Sequence, residues 1–154
     1  MKNEFMSRAI TLSIESVYKG GGPFGSLIVK DNKIISEGFN QVTSTNDPTA
    51  HGEIVAIRNS CKILNSFSLK GCDLYTSCEP CPMCMSAIYW ARIDNVYYAN
   101  TRDDAKKIDF DDSLIYEQLT KSIKERKIRM TQLMRNEALK AFELWDKKTD
   151  KVKY

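Results

Sequence analysis

The sequence predicts an α/β domain: a central mixed sheet of five short strands with helices on both faces. Two observations carry that expectation. Helix-spaced apolar stripes alternate with strand-like runs in the order α-β-β-α-β-α-β-α-β-α, and such an order places helices against a mixed sheet. The 154 residues contain no internal repeat, low-complexity segment or linker, which suits one domain with a substantial core.

Each element has its own signal. Met6, Ile10, Ile14 and Val17 form a helical stripe that ends at Gly20-Gly21-Gly22. Phe24 to Val29 and Ile34 to Phe39 read as strands joined at the turn pair Asp31-Asn32, hence a hairpin. Residues 40–50 read as a polar loop. Ile54, Ile57, Cys61 and Leu64 give a second helical stripe, starting beside His51. Asp73 to Thr76 reads as a short strand, Met83 to Ala91 as a buried helix and Val96 to Ala99 as a buried strand. Residues 100–113 read as a loop, Leu114 to Leu119 as a short helix and Ile128 to Leu133 as the fifth strand. Ala138, Ala141, Phe142 and Trp145 mark a last helix, followed by the charged tail Asp146 to Tyr154.

Composition excludes several classes. Hydrophobic residues at 42% and charged residues at 28% describe an ordinary globular chain rather than a disordered one. No apolar run approaches the roughly 20 residues needed to span a bilayer. Met1-Lys2-Asn3-Glu4-Phe5 carries an acid and lacks the apolar region of a signal peptide. Five cysteines are an odd number, and a reducing cytoplasm is their natural setting, with Cys61 and Cys72 as small buried hydrophobes. Charge is uneven: residues 1–119 carry 12 basic and 15 acidic side chains, residues 120–154 carry 11 and 5. The basic end reads as the solvated face of amphipathic segments, with RNA contact as the alternative.

The most informative residues surround the chain's one histidine. His51-Gly52-Glu53 is followed downstream by Pro80-Cys81-Pro82-Met83-Cys84. One imidazole and two thiolates are three zinc ligands, and three protein ligands leave a fourth tetrahedral position open. Cys81 and Cys84 are three apart, so on a helix both sulfurs share a face. Pro80 and Pro82 suit a helix entry. His51 and Glu53, two apart, belong on an opening turn rather than inside a helix. Two helix N-termini then converge on one metal, and their dipoles stabilise its anionic ligands. Three other readings stay open at this point: a redox Cys-x-x-C pair, half of a zinc knuckle, and a closed structural site with Cys78 as fourth ligand. Glu53 has no use in any of them.

The combined H-x-E…P-C-x-x-C pattern is the signature of zinc-dependent nucleobase deaminases. Over almost its full length the chain resembles the bacterial guanine deaminases of the cytidine-deaminase-like superfamily. The likeness runs through Gly21-Gly22-Pro23-Phe24-Gly25, Asn46-Asp47-Pro48-Thr49-Ala50-His51, Thr76-Ser77-Cys78-Glu79-Pro80-Cys81-Pro82-Met83-Cys84 and Ala87-Ile88-Tyr89-Trp90-Ala91-Arg92. Guanine is indicated by Phe110-Asp111-Asp112-Ser113-Leu114-Ile115-Tyr116 and by the aromatic end at Tyr154.

The resemblance implies a three-layer α-β-α fold, with residues 1–154 as one deaminase domain that converts guanine to xanthine and ammonia in purine salvage or catabolism. It implies that His51, Cys81 and Cys84 bind Zn2+ and that Glu53 shuttles protons. Asn40, Asp112 and Tyr154 would hold the base, with Phe24, Trp90 and Gly52 forming the pocket. A homodimer is implied in which residues 146–154 are exchanged as a lid, with no membrane or nucleic-acid partner. Gly52 departs from the alanine expected between histidine and glutamate. His-Gly-Glu also fits fungal-type cytosine deaminases, and tRNA adenosine deaminases share the zinc region, so both remain alternatives. A zinc-stabilised binding module without catalysis is the alternative of a different class.

Overall fold

A computed structural model describes all residues 1–154. The chain divides into two compact units, Met1–Asp112 and Ser113–Tyr154.

The first unit holds the sheet. Helix α1 (Lys2–Tyr18) leads into strands β1 (Gly25–Lys30) and β2 (Lys33–Phe39). The short α2 (Val42–Thr45), α3 (Gly52–Ile63), β3 (Cys72–Cys78), α4 (Pro82–Ala91), β4 (Asn95–Asn100) and α5 (Arg102–Lys106) follow. The strands run in the order β2-β1-β3-β4, antiparallel between β1 and both its neighbours and parallel between β3 and β4. Side chains on successive strand residues face opposite ways. Ile28 and Leu74 accordingly enter a core with Ala56 and Ile57 of α3 and Ile88 and Ala91 of α4. Leu27, Val29 and Tyr75 enter a second core with Ala9 and Leu12 of α1.

Several expectations need correction. The sheet has four strands, and Ile128–Leu133 forms none. Its apolar residues Ile128, Met130 and Leu133 are exposed. An alternating run becomes a strand only where a ladder partner and a buried face receive it. With no fifth strand beside it, β4 is an edge and mostly exposed, rather than buried. Helix α4 buries only Pro82, Cys84, Ile88 and Ala91, leaving Tyr89 and Trp90 outside. Cys72 is buried as expected, but Cys61 only partly.

Helix α1 forms as predicted but faces the sheet with other residues. Ala9, Leu12, Ser13 and Ser16 are buried, while Ile10, Ile14 and Val17 are exposed. Close approach decides this orientation. A Cβ on Gly25 would lie 2.5 Å from the Ala9 carbonyl oxygen and the Ser13 nitrogen, so only small residues fit under the helix. The buried hydroxyls are satisfied locally: Ser13 Oγ donates to the Ile10 carbonyl and Ser16 Oγ to the Gly22 carbonyl, both at 2.7 Å.

A second close approach sets the site. A Cβ on Gly38 of β2 would lie 2.2 Å from the Gly52 carbonyl oxygen and 2.6 Å from the Ala56 nitrogen. The first turn of α3 is thus pressed onto β2, and His51 and Glu53 are carried with it. Two loops read as irregular contain α2 and α5. The latter is marked by Thr101 and Asp104, whose side chains cap each other's backbone at its start.

The second unit contains α6 (Ser113–Thr120), a 3-10 turn at Ile123–Glu125 and α7 (Arg135–Lys147). Neither of its α-helices has a buried residue, and Phe142, Leu144, Val152 and Tyr154 are exposed. No helix of the chain is long and apolar enough to cross a membrane.

Candidate active site

The site is built from two helix starts. His51 is the N-cap of α3 and Cys81 the N-cap of α4, with Pro82 as the first residue of that helix. Proline is tolerated there because the missing N–H would have no helical acceptor. Cys84 lies one turn into α4 on its buried face. The ligand atoms of His51, Cys81 and Cys84 all lie within 4.8 Å of one another. His51 Nδ1 is 3.6 Å from Cys81 Sγ and 3.5 Å from Cys84 Sγ.

That geometry fits a zinc ion. Sulfur at about 2.3 Å and nitrogen at about 2.0–2.1 Å from a tetrahedral zinc stand about 3.6 Å apart. The thiol of Cys84 and the imidazole of His51 hold Cys81 down to about 4, so this sulfur is a thiolate at neutral pH, the form that binds metal. The hydrogen bond of Cys84 to Cys81, and then burial, drive the Cys84 thiol upward.

Cys78 stands outside this group. Its Sγ donates to the Thr101 carbonyl at 3.6 Å, and burial pushes its thiol up to about 11. The cluster therefore has three protein ligands rather than the four of a closed structural site. His51 Nδ1 lies within reach of both sulfurs, an arrangement that a redox pair of Cys81 and Cys84 would not need.

Glu53 sits on the second residue of α3 with 6% of its surface exposed. Burial raises its carboxyl pKa, and the negative charge of Cys81 adds to the shift. A carboxyl held in this state can both accept and return a proton.

Of the residues expected to hold a base, Asn40, Phe24 and Gly52 lie close to one another. Asn40 is buried and its Oδ1 accepts from the Val42 nitrogen at 3.2 Å, forming the turn that precedes α2. Its backbone nitrogen donates to the Phe24 carbonyl at 3.0 Å. A Cβ on Gly22 would lie 3.4 Å from the Asn40 amide nitrogen and 3.2 Å from the Phe24 ring, so glycine keeps this corner open. Gly52 is buried beneath them: an added methyl would stand 3.3 Å from the Phe24 carbonyl oxygen and Ser26 Oγ. Alanine there would require a shift of a few tenths of an ångström.

Asp112 is largely covered, and burial followed by the charge of Cys81 raises its pKa, while Arg102 opposes the rise. Trp90 is 65% exposed on the last turn of α4, away from the Cys84 face. Tyr154 closes the second unit. Three neighbours were given no role of their own from the sequence. Phe110 meets the Phe24 ring edge-on at 4.9 Å. Arg102 lies 3.8 Å from Asp112. Glu79 Oε2 accepts from the Arg102 nitrogen at 3.1 Å. The capping pair Thr101 and Asp104 was the signal that would have located Arg102 on a helix.

A cluster of one histidine and two cysteines able to hold a metal, presented by two helix starts with a buried carboxyl on one of them, suits the class of zinc-dependent deaminases. The chain belongs to the family described as cytidine and deoxycytidylate deaminase zinc-binding region, which it matches over residues 1–100. It is 52% identical to a guanine deaminase of Bacillus subtilis (strain 168) over 151 residues, 97% of each chain. The solved structure of a Bacillus subtilis guanine deaminase superposes with a TM-score of 0.96 at 51% identity, covering 99% of this chain and 98% of that one. A tRNA-specific adenosine deaminase of Aquifex aeolicus (strain VF5) is 41% identical over 98 residues, 64% of this chain and 65% of that one. A guanine deaminase from Nitrosomonas europaea aligns with a TM-score of 0.67 at 26% identity, covering 89% of this chain and 70% of that one.

Proposed function

We propose that the protein hydrolyses guanine to xanthine and ammonia in purine salvage or catabolism, using zinc held by His51, Cys81 and Cys84. The observation that carries the substrate is the likeness to guanine deaminase over 97% of both chains. The likeness to the Aquifex aeolicus tRNA deaminase spans only 64% of this chain. The architecture is taken as three layers, with all 154 residues as one deaminase domain. The two cores on opposite faces of the sheet support the layering.

Zinc held by His51, Cys81 and Cys84 would lower the pKa of a bound water toward about 7. Glu53 takes a proton from the attacking water and delivers it to the 2-amino group, which leaves as ammonia. Its raised pKa suits both halves of that transfer. Asn40 reads an acceptor of the base: its Oδ1 is engaged by Val42, which leaves Nδ2 as the end presented to O6 or N7. Asp112 accepts from the donor edge. Phe24, backed by Phe110, packs against the ring, and Gly52 forms the floor beneath. Measured ammonia release should be fastest with guanine among guanine, cytosine, adenine and a tRNA anticodon stem-loop. Faster turnover of cytosine or the stem-loop would overturn the substrate assignment.

The working form is proposed to be a homodimer in which residues 146–154 cross to the partner and Tyr154 closes its pocket. The apolar residues left exposed on α7 and the tail support this, because an amphipathic helix is stable when its apolar face is covered. Trp90, largely exposed in the single chain, would be enclosed by such a second chain. Five thiols without a disulfide suit the reducing cytoplasm. Deleting the last five residues should lower kcat/KM for guanine while zinc content stays unchanged. Mixing that truncated chain with a Glu53→Gln chain should restore part of the activity, because one site of a mixed dimer has both an intact Glu53 and an intact partner tail. Mixed dimers without recovered activity would count against the exchange.

A further inference from the structure

We propose that Arg102 is a positioning residue for the base pocket: its ion pair holds the Asp112 carboxylate where the donor edge of the substrate is read. The inference rests on the assignment of Asp112 as the acceptor for guanine.

Arg102 is tied to the metal loop through its backbone. Its nitrogen donates to Glu79 Oε2 at 3.1 Å, and Glu79 stands two residues before Cys81. The Glu79 nitrogen in turn donates to the Asn100 carbonyl at 2.8 Å. The mutual cap of Thr101 and Asp104 then fixes the start of α5. Arg102 and Lys106 are four apart and share one face of that helix. Arg102 reaches Asp112 at 3.8 Å, and Lys106 Nζ reaches Asp111 Oδ2 at 3.2 Å. Between helix and carboxylates the chain reverses at Asp109, whose φ of 69° is left-handed, and the Phe110 nitrogen donates to the Ala105 carbonyl at 3.1 Å. The first residue of α5 therefore meets the cysteine loop through its backbone nitrogen and Asp112 through its side chain, while Lys106 at the far end of the helix pairs with Asp111.

Asp112 needs such a partner. Its side chain is only 19% exposed, and burial penalises its charged form. Without an opposing cation the carboxylate would turn toward solvent or take up a proton, and a protonated carboxyl presents a donor where the base also presents donors. Arg102 opposes both outcomes from a fixed backbone position.

The test compares Arg102→Met, Arg102→Lys, Asp112→Ala and the Arg102→Met/Asp112→Ala double variant as full-length, zinc-loaded proteins. An ion pair of this exposure predicts that Arg102→Met raises KM for guanine about fivefold, with kcat changed much less. Arg102→Lys should recover part of the loss. In the Asp112→Ala background Arg102→Met should have no further effect, because the two residues act through one contact. Zinc content and melting temperature should stay unchanged in Arg102→Met.

Equal KM increases in both backgrounds, or loss of zinc in Arg102→Met, would overturn the positioning role. Unchanged KM in Arg102→Met beside a raised KM in Asp112→Ala would overturn it too, and would leave the assignment of Asp112 standing. Unchanged KM in Asp112→Ala would instead remove Asp112 from base binding, and the role of Arg102 with it.

Discussion

Glu53→Gln is expected to lower kcat for guanine by at least about 10²-fold while the protein keeps its zinc. Glutamine has nearly the same shape, so the first turn of α3 and its fit against Gly38 are preserved. None of the three candidate ligands changes, and a neutral amide replaces a carboxyl that burial already biases toward its neutral form. What disappears is the ability to take up a proton and give it back. KM should move little, because the residues proposed to hold the base lie elsewhere. Metal analysis and the rate of ammonia release check both halves. A fully active Glu53→Gln enzyme would remove Glu53 from the mechanism.

Cys81→Ala should empty the site, and ammonia release should fall below about a hundredth, since the lowered water pKa supplied by the metal is lost with it. The fold should also lose stability, because zinc binding contributes directly to folding free energy. Cys78→Ser is the matched control. The serine hydroxyl can still donate to the Thr101 carbonyl, the contact that Cys78 makes, so zinc and activity should both remain. Loss of zinc in Cys78→Ser would mean that the site is closed by a fourth protein ligand, and the hydrolytic reading would fail with it.

The parts of the candidate site readable from sequence were those held by local spacing. Cys81 and Cys84 share a helical face at three residues apart, and His51 and Glu53 sit on one opening turn. Those relations are set by helix geometry and need no knowledge of the rest of the chain. The strands β1, β2 and β3 announced themselves through apolar runs and the Asp31-Asn32 turn, whose positive φ angles the structure reproduces.

The errors came where a local pattern needed a distant partner. Ile128–Leu133 alternates like a strand, yet no ladder receives it. Ile10, Ile14 and Val17 form the stronger stripe on α1, but glycine at position 25 admits the helix only by its small face. Arg102 lies in no motif, and Phe110 and Glu79 received no role of their own; a ring contact, a hydrogen bond and an ion pair make them neighbours of the site.

The sequence by itself thus placed the candidate chemistry: one nitrogen and two sulfurs at the spacing of metal ligands, a carboxyl beside them, and the helix starts that present them. Tertiary structure alone decided that Cys78 stays outside the cluster, that the sheet stops at four strands, and that Asp112 has a cation beside it. The physical reason is range. Ligand spacing and capping act within a turn or two of chain, whereas exclusion, edges and ion pairs depend on which surfaces are brought together by burial of the two cores.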